Sequence, residues 1–136
     1  ILKCVLPNGP ELDTRFQQDI FNSRHTFEDQ PRLLDRAFQI CEMTGAKIIR
    51  VFSYWRTVEP EACFDAVATA LTGLAEKAAP QGLTIGIENE HACHIGTAVE
   101  SKAILDAVRH ANLKLVWDPA NALVGGETPY PFGYRQ

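Results

Sequence analysis

The amino-acid sequence predicts an α/β barrel of parallel strands surrounded by helices. Short apolar segments alternate with segments of helical periodicity, which gives four predicted strands and three predicted helices. Parallel strands joined by helical crossovers account for this alternation. A barrel is favoured because the last three predicted strands each end in polar residues, and barrels collect functional side chains at the C-terminal ends of their strands. A dinucleotide-binding open sheet is disfavoured because Pro-Asn-Gly-Pro, and not Gly-x-Gly-x-x-Gly, follows the first predicted strand.

The first half of the chain contains two predicted strands and the first predicted helix. Residues 1–6 form a short apolar segment, which predicts a buried strand that ends at a Pro-Asn-Gly-Pro turn. A helix is predicted from Asp29 and Pro31 to Gly45, with apolar residues at helical spacing and Gly as the C-terminal stop. Residues 46–52 are predicted to form the next strand, and a polar and aromatic segment, residues 53–57, follows it.

The second half repeats the strand and helix unit twice. A helix is predicted from about Pro60, with apolar residues three and four apart, until Pro80 interrupts it. Residues 83–87 form an apolar strand segment that leads directly into Glu88. The next helix is predicted to begin at Thr97 with a capping box and to run to about residue 108, and residues 113–117 then lead into Asp118.

The composition is that of a globular protein without a basic surface. The 136 residues include 46% hydrophobic and 22% charged residues, and the net charge is −4. Lys and Arg residues are scattered singly, so nucleic acid is not favoured as a partner. No apolar segment approaches the roughly 18 residues of a membrane span, and residues 1–6 lack the layout of a signal peptide. The four cysteines are widely spaced with no Cys-x-x-Cys motif, which predicts buried, reduced thiols in a cytoplasmic protein.

Glu88 and Asp118 are the main candidate functional residues. They lie 30 positions apart, about one strand and helix repeat, and each directly follows an apolar strand. Adjacent strands lie ~4.8 Å apart, so the two carboxylates would repel each other unless a cation or a shared proton compensates. Oxygen ligands suit Mg²⁺ or Mn²⁺, and an added histidine would admit Zn²⁺ or Co²⁺. In the alternative interpretation, Glu88 caps a helix or pairs with an Arg, and Asp118 only starts a turn before Pro119.

Three segments resemble the xylose isomerase-like TIM-barrel superfamily, which includes sugar phosphate isomerases and epimerases, inosose dehydratases and endonuclease IV-type enzymes. They are Arg-Val-Phe-Ser at residues 50–53, Ile-Glu-Asn-Glu-His at 87–91, and Val-Trp-Asp-Pro-Ala-Asn-Ala at 116–122. The resemblance covers nearly the whole chain, but only about the second to fifth units of a (β/α)8 TIM barrel. Residues 1–136 are therefore expected to form part of one domain, completed by a longer chain of ~250 residues or by a second copy in a homo-oligomer; we favour the longer chain.

The resemblance implies that Glu88 and Asp118 are ligands of one divalent cation, and that Glu88 is also a catalytic acid/base residue. The implied substrate is a small polyhydroxylated carbonyl compound, isomerised or epimerised by proton transfer through an enediolate while the metal polarises its oxygens. In the family a His and a last Glu from later strands complete the ligand set, so we expect the segment alone to be inactive. A His often found three residues after the Asp is Asn121 here.

Five further residues are candidates for contact with the substrate: Asn121, His91, His94, Arg56 and Trp55. A surface-loop position is the alternative for the two histidines, and an ordinary solvent-exposed or salt-bridge role is the alternative for Arg56. Trp117 is expected to pack in the core, because it precedes Asp118 in a strand and must point the other way. Three alternative functions stay open: the protein is a related metal-dependent dehydratase or lyase, an endonuclease IV-like phosphodiester hydrolase, or a non-catalytic barrel relative.

Overall fold

The structure is a computed structural model, and it describes residues 27–136. The predicted strand at residues 1–6 lies outside the described residues. Within them, strands and helices alternate as predicted, and the sheet has three parallel strands in the order β1-β2-β3. The elements are α1 Gln30–Thr44, β1 Ile48–Val51, α2 Phe64–Ala78, β2 Thr84–Glu88, α3 Ala98–Val108, β3 Leu113–Val116 and α4 Pro119–Val124.

Local sequence signals set most of the helix ends. Helix α1 ends at Gly45, whose left-handed backbone (φ 75°) lets its N–H donate to the Cys41 carbonyl at 2.8 Å. Helix α3 begins with the predicted capping box, in which the Thr97 hydroxyl accepts from the Glu100 N–H at 3.2 Å and the Glu100 carboxylate accepts from the Thr97 N–H at 3.1 Å. Helix α2 starts later than predicted, at Phe64, because a 3-10 turn, Glu61–Cys63, precedes it.

One face of the sheet packs on the helices and forms the core. Strand alternation directs Ile49, Val51, Ile85 and Ile87 to this face, where each is at most 7% exposed. They pack with a stripe of buried side chains from the helices, which includes Leu34, Val67, Leu71, Leu74 and Ile104. Each such side chain contributes roughly 1.5–3 kcal/mol by leaving water, so this apolar layer is the main reason that the strand ends are held in place.

The cysteines that the structure describes are buried in the protein. Cys41 and Cys63 are buried free thiols, and Cys93 is buried, in agreement with the prediction, while Cys4 lies outside the described residues.

None of the helices in residues 27–136 is long and apolar enough to cross a membrane.

The opposite face of the sheet carries Arg50 and Glu88 and is open. The strands are aligned with Arg50 beside Gly86 and Glu88 beside Val116. A Cβ on Gly86 would lie 2.9 Å from Cγ2 of Val116 and 3.1 Å from Cγ2 of Ile48, so only glycine fits between these side chains. Ile48 on this face is 60% exposed. Within residues 27–136 the sheet therefore does not close, and its open face is the one that carries the candidate site.

Candidate metal and substrate site

Glu88 is the last residue of β2 and lies on the open face of the sheet. It is 8% exposed, and its carboxylate forms an ion pair with the guanidinium of Arg50, one strand away. The Arg50 guanidinium also lies over the Phe52 ring, 5.2 Å from its centre. The negative charge of Glu88 is thus compensated by a cation that the chain itself supplies. Pairing with an Arg was the alternative interpretation of Glu88 from the sequence, and it describes the contact that is present.

Asp118 directly follows β3 and is the N-cap of α4. Its backbone is extended (φ −114°, ψ 105°), so the strand alternation that directs Val116 to the open face also directs Asp118 there. Its Oδ1 accepts hydrogen bonds from the N–H groups of Ala120 at 2.8 Å and Asn121 at 3.1 Å. Both of these bonds use Oδ1, so a cation could be bound through Oδ2 without uncapping the helix.

Asn89 links the two strand ends, and the sequence did not single it out. It is fully buried, and its side-chain amide forms two hydrogen bonds with the backbone of Asp118: Nδ2 donates to the carbonyl at 2.7 Å, and Oδ1 accepts from the N–H at 2.6 Å. Nδ2 also donates to the Gly96 carbonyl at 3.1 Å. Because Asn89 follows Glu88 directly, these bonds fix the backbone of one candidate ligand relative to the other. The only sequence signal was an amide placed directly after a strand-ending carboxylate.

His91 and Asn121 meet beside Asp118. Nδ1 of His91 lies 3.0 Å from Oδ1 of Asn121 and 2.9 Å from Oε1 of Glu90. Asn121 is also one of the two residues whose N–H groups bind Asp118. Two predicted substrate residues are therefore adjacent to one predicted ligand.

Arg56 is held by other parts of the protein. Its Nε donates to the Cys93 carbonyl at 3.0 Å, and its guanidinium pairs with Glu100 at the start of α3. This agrees with the salt-bridge alternative, although Arg56 and His91 also line one cavity of about 280 Å³ with Thr97, Glu100 and Gly125. Trp55 pairs with Cys93 in an isolated antiparallel β-bridge, which joins the loops that follow β1 and β2.

His94 is buried in a different cavity from the one that His91 lines. It is 7% exposed, and the described residues around its cavity include Arg56 and Glu100 but neither Glu88 nor Asp118. Burial, with the positive charge of Arg56 as the second cause, lowers the pKa of His94 to about 4. Burial raises the pKa of Glu100, but the N–H of Gly96 and the Arg56 guanidinium outweigh it, so this pKa lies below its ordinary value. His94 is thus neutral and Glu100 ionised near neutral pH.

Trp117 lies on the helix side of β3, as expected, but it is only half-buried and lies outside the core cluster. It lines a cavity of about 380 Å³ together with Ala98 and Leu105 of α3. A Cβ on Gly133 would lie 3.2 Å from the Trp117 ring, so the C-terminal segment also packs closely against this side chain. Trp117 therefore supports β3 from the side opposite to Asp118.

The described residues fit a divalent metal as part of a ligand set. Glu88 and Asp118 offer carboxylate oxygens on one face of neighbouring strand ends, which is the donor type that hard divalent cations prefer. Within residues 27–136 no group of three or more His, Cys, Asp or Glu residues lies close enough together to hold a metal ion. Two ligands are thus available here, and any further ligands must come from outside this part of the chain.

Comparison with known families gives one match over most of the chain. A statistical model of the family described as "Xylose isomerase-like TIM barrel" matches residues 19–132. None of the curated proteins that were compared is significantly similar in sequence.

Solved structures share the fold at low sequence identity. An IolI protein with a bound zinc atom is 20% identical, with a TM-score of 0.66 over 74% of this chain and 37% of that chain. The probable 3-DHS dehydratase AsbF of petrobactin synthesis from Bacillus anthracis is 16% identical, with a TM-score of 0.67 over 84% of this chain and 42% of that chain. A xylose isomerase-like TIM-barrel protein from Mycobacterium smegmatis, in complex with magnesium, is 21% identical, with a TM-score of 0.56 over 70% and 37%. The chain thus aligns with well under half the length of each.

Proposed function

Because the chain belongs to the xylose isomerase-like TIM-barrel family, we propose that it carries part of the active site of a divalent-metal-dependent isomerase or epimerase. The substrate is a small polyhydroxylated carbonyl compound, such as a sugar or a sugar phosphate. Residues 1–136 form part of one barrel domain in this proposal. The zinc and magnesium found in two of the similar structures support a divalent cation here, with Mn²⁺ and Co²⁺ as further candidates.

The observation that carries the proposal is the double hydrogen bond between Asn89 and the backbone of Asp118. It ties the end of β2 to the end of β3, so the carboxylates of Glu88 and Asp118 are held at one edge of the sheet. Preorganised ligands lose little conformational entropy when they bind a cation. In a metal site the distance between the ligands matters, so a buried amide that fixes two strand ends relative to each other is expected there.

A bound divalent cation would polarise the carbonyl and hydroxyl oxygens of the substrate. Glu88 would bind this cation and would accept and return the proton of the carbon next to the carbonyl. Arg50 would neutralise the carboxylate when no cation is present, and it is half-exposed, so it can move away without a large packing cost. Asp118 would bind the cation but would not transfer a proton, since its Oδ1 already accepts hydrogen bonds from two N–H groups at the N-terminus of α4.

The substrate would be held by the side chains next to Asp118. His91 and Asn121 hydrogen-bond each other on the open side of the strand ends and could exchange this bond for substrate hydroxyls. Arg56, in the cavity it shares with His91, would attract a carboxylate or phosphate through a guanidinium that is partly neutralised by Glu100. Trp55 is proposed as a wall of the same site, and His94, in the neighbouring cavity, as an indirect support.

The test is metal content and turnover in the full-length protein. Glu88→Gln and Asp118→Asn should each lower the metal content strongly and abolish turnover, because each removes an anionic ligand. Glu76→Gln is the matched control, since Glu76 is an exposed carboxylate on α2. Unchanged metal content in both site variants would refute their role as ligands. Assays should follow both interconversion and loss of water, since water loss without interconversion would assign a dehydratase instead.

A further inference from the structure

His91 lies on a short turn that follows β2 and is closed by backbone hydrogen bonds. The Glu90 N–H donates to the Ile95 carbonyl, and the Cys93 N–H donates to the Glu90 carbonyl, both at 2.8 Å. A Cβ on Gly96 would lie 3.0 Å from Cα of His91, so a side chain at residue 96 would crowd the backbone there. The backbone of His91 is therefore held in place, while its side chain is 42% exposed.

The surroundings of Nδ1 decide which nitrogen of His91 can exchange a proton. Oδ1 of Asn121 lies 3.0 Å from Nδ1, and Oε1 of Glu90 lies 2.9 Å from the same atom. A carboxylate oxygen can only accept a hydrogen bond, so the neutral ring carries its hydrogen on Nδ1. Nε2 then has a lone pair, and within residues 27–136 it forms no hydrogen bond. Proton exchange with a substrate is therefore directed to Nε2.

The contacts of His91 place it beside the candidate ligands without making it one of them. Asn121 contacts Nδ1 through its side chain, and its backbone N–H donates to Oδ1 of Asp118 at 3.1 Å. Within residues 27–136, His91 belongs to no group of three His, Cys, Asp or Glu residues that could hold a metal ion. An imidazole with one unprotonated nitrogen, next to the ligands but outside their set, is suited to proton transfer with a bound substrate.

An isomerisation at this site needs two different proton transfers. In the first, Glu88 takes the proton from the carbon that bears the hydroxyl, the electron pair of that C–H bond forms a C=C bond, and the carbonyl oxygen becomes an oxyanion. In the second, the hydroxyl loses its proton and the former carbonyl oxygen gains one. Glu88 then returns its proton to the former carbonyl carbon, and the other oxygen becomes the new carbonyl. Protons and electrons balance, but Glu88 accounts only for those at carbon.

We propose that His91 is a second catalytic residue, which moves the hydroxyl proton between the two neighbouring oxygens of the substrate. Nε2 accepts the proton from one oxygen and donates it to the other, while Nδ1 keeps its hydrogen and its contact with Glu90. The role rests on the proposed function and selects one of its two reactions. Epimerisation returns the proton to the same carbon and moves none between oxygens, so the reaction is the interconversion of an aldose and a ketose.

The ring and its place outside the ligand set are tested without turnover. In ¹⁵N NMR spectra of the full-length protein, the neutral His91 ring should show a protonated Nδ1 and an unprotonated Nε2. The opposite tautomer would overturn the proposal. The metal content of His91→Asn should equal that of wild type, whereas Glu88→Gln should lose metal. A loss of metal in His91→Asn would make His91 a ligand and would also overturn the proposal.

Turnover by the Mn²⁺-loaded protein tests the proton transfer itself. The probes are aldose and ketose pairs, from glyceraldehyde and dihydroxyacetone to glucose and fructose. His91→Asn keeps an N–H donor for Glu90 but lacks Nε2, so it should lower kcat about 100-fold and change KM by less than about threefold. Since Glu88 remains, the variant should still exchange the carbon-bound hydrogen of the substrate with D2O.

His110→Asn is the matched control. Nδ1 of His110 also has a local partner, since it accepts from the Asn112 N–H at 3.1 Å, but this residue lies before β3, at the opposite end of the sheet. The control should keep the kcat of wild type.

Three turnover results would overturn the proposal. A raised KM with unchanged kcat in His91→Asn would make His91 a binding residue only. Loss of the exchange with D2O in this variant would place His91 at the carbon and not at the oxygens. Epimerisation without isomerisation by wild type would refute this role and leave the proposed function intact. Metal content that depends on neither Glu88 nor Asp118 would instead refute the proposed function, and this role with it.

Discussion

Replacing Asn89 by Ala tests whether the strand ends are held for the sake of the site. The variant loses the two hydrogen bonds to the Asp118 backbone and the one to the Gly96 carbonyl. It leaves an N–H and two carbonyl groups without their partner, at a position that is fully buried. Glu88 and Asp118 keep their side chains, so any effect on metal binding must come from their relative position.

The expected loss of stability follows from the hydrogen bonds. Each contributes about 1 kcal/mol net, and a buried group left without a partner costs about 1–3 kcal/mol unless water reaches it. The strand ends are close to the surface, where water can replace some of the lost hydrogen bonds. We therefore expect a decrease of roughly 3 kcal/mol in the free energy of unfolding. Loss of a residue that orients metal ligands typically lowers metal affinity about 10- to 100-fold, and we expect about tenfold here.

The assay combines denaturant unfolding of the metal-free, full-length protein with titration of Mn²⁺ or Zn²⁺. Asn112→Ala is the control, because the Asn112 Nδ2 donates to the Leu83 carbonyl at 2.8 Å and so links the same two strands at their opposite end. It should cost about 1 kcal/mol and leave metal affinity unchanged. If Asn89→Ala lowers stability but binds metal as tightly as Asn112→Ala does, the amide has a purely structural role and the reasoning is refuted.

Three further predictions concern stability. Gly86→Ala should cost about 1–3 kcal/mol in denaturant unfolding, since its Cβ would lie 2.9 Å from Val116 Cγ2; Gly73→Ala, where nothing lies within 4 Å, is the control. Glu127→Gln should cost about 1 kcal/mol, measured in the same way, because the carboxylate accepts from the Ala98 and Val99 N–H groups at 2.8 and 3.2 Å at the start of α3. The pKa of His94 is about 4 in the folded protein, against its ordinary value of 6.5. Because the unfolded chain therefore binds the proton first, the free energy of unfolding should be highest above pH 6.5 and should decrease as the pH falls toward 4, by up to about 3 kcal/mol. Arg56, Glu61 and Glu100 line the same cavity as His94, so their charges also contribute to the pH dependence of stability. The wild type is therefore compared with His94→Gln, and equal pH dependence in both proteins would contradict the prediction.

The strands and most helix ends could be predicted because their signals are local. Apolar segments of four to eight residues, a glycine after α1 and the Thr97 capping box are all visible in short windows. Helix α4, Pro119–Val124, was missed because six residues are too few for helical periodicity, and an Asp followed by Pro is equally typical of a turn. The start of α2 was placed too early because a 3-10 turn and an α-helix share the same sequence signals there.

The candidate site could be predicted only where strand alternation decides it. Alternation places Glu88 and Asp118 on one face, and the structure agrees with that geometry. The contacts that define their surroundings join residues far apart in the chain: Arg50 lies 38 positions before Glu88, and Asn89 lies 29 before Asp118. Such pairs depend on how the strands are aligned, which no short window contains. For the same reason, the burial of His94 and the separation of its cavity from His91 could not be foreseen from a loop that contains both.

The ion pair between Arg50 and Glu88 leads to a prediction that separates the two interpretations of Glu88. If Glu88 is a metal ligand, Arg50 and the cation compete for the same carboxylate, so Arg50→Met should strengthen metal binding. The guanidinium side chain is 44% exposed, which limits the pair to about 1 kcal/mol and the gain in affinity to roughly fivefold. The metal-free variant should be less stable than wild type, because Glu88 is buried and loses its counter-charge. Excess metal should remove this difference, since the cation then compensates Glu88 in both proteins.

Arg56→Met is the matched control for this competition. It breaks an ion pair of the same kind, with Glu100, but Glu100 caps α3 and is no candidate ligand. Its stability should fall at least as much, because Arg56 also donates to the Cys93 carbonyl. Excess metal should not restore this stability, because no cation replaces Arg56 beside Glu100. If Arg50→Met also stays destabilised in excess metal and binds metal no more tightly than wild type, the ion pair is the whole role of Glu88. The alternative interpretation of Glu88, as a residue that pairs with a neighbouring Arg, would then be correct.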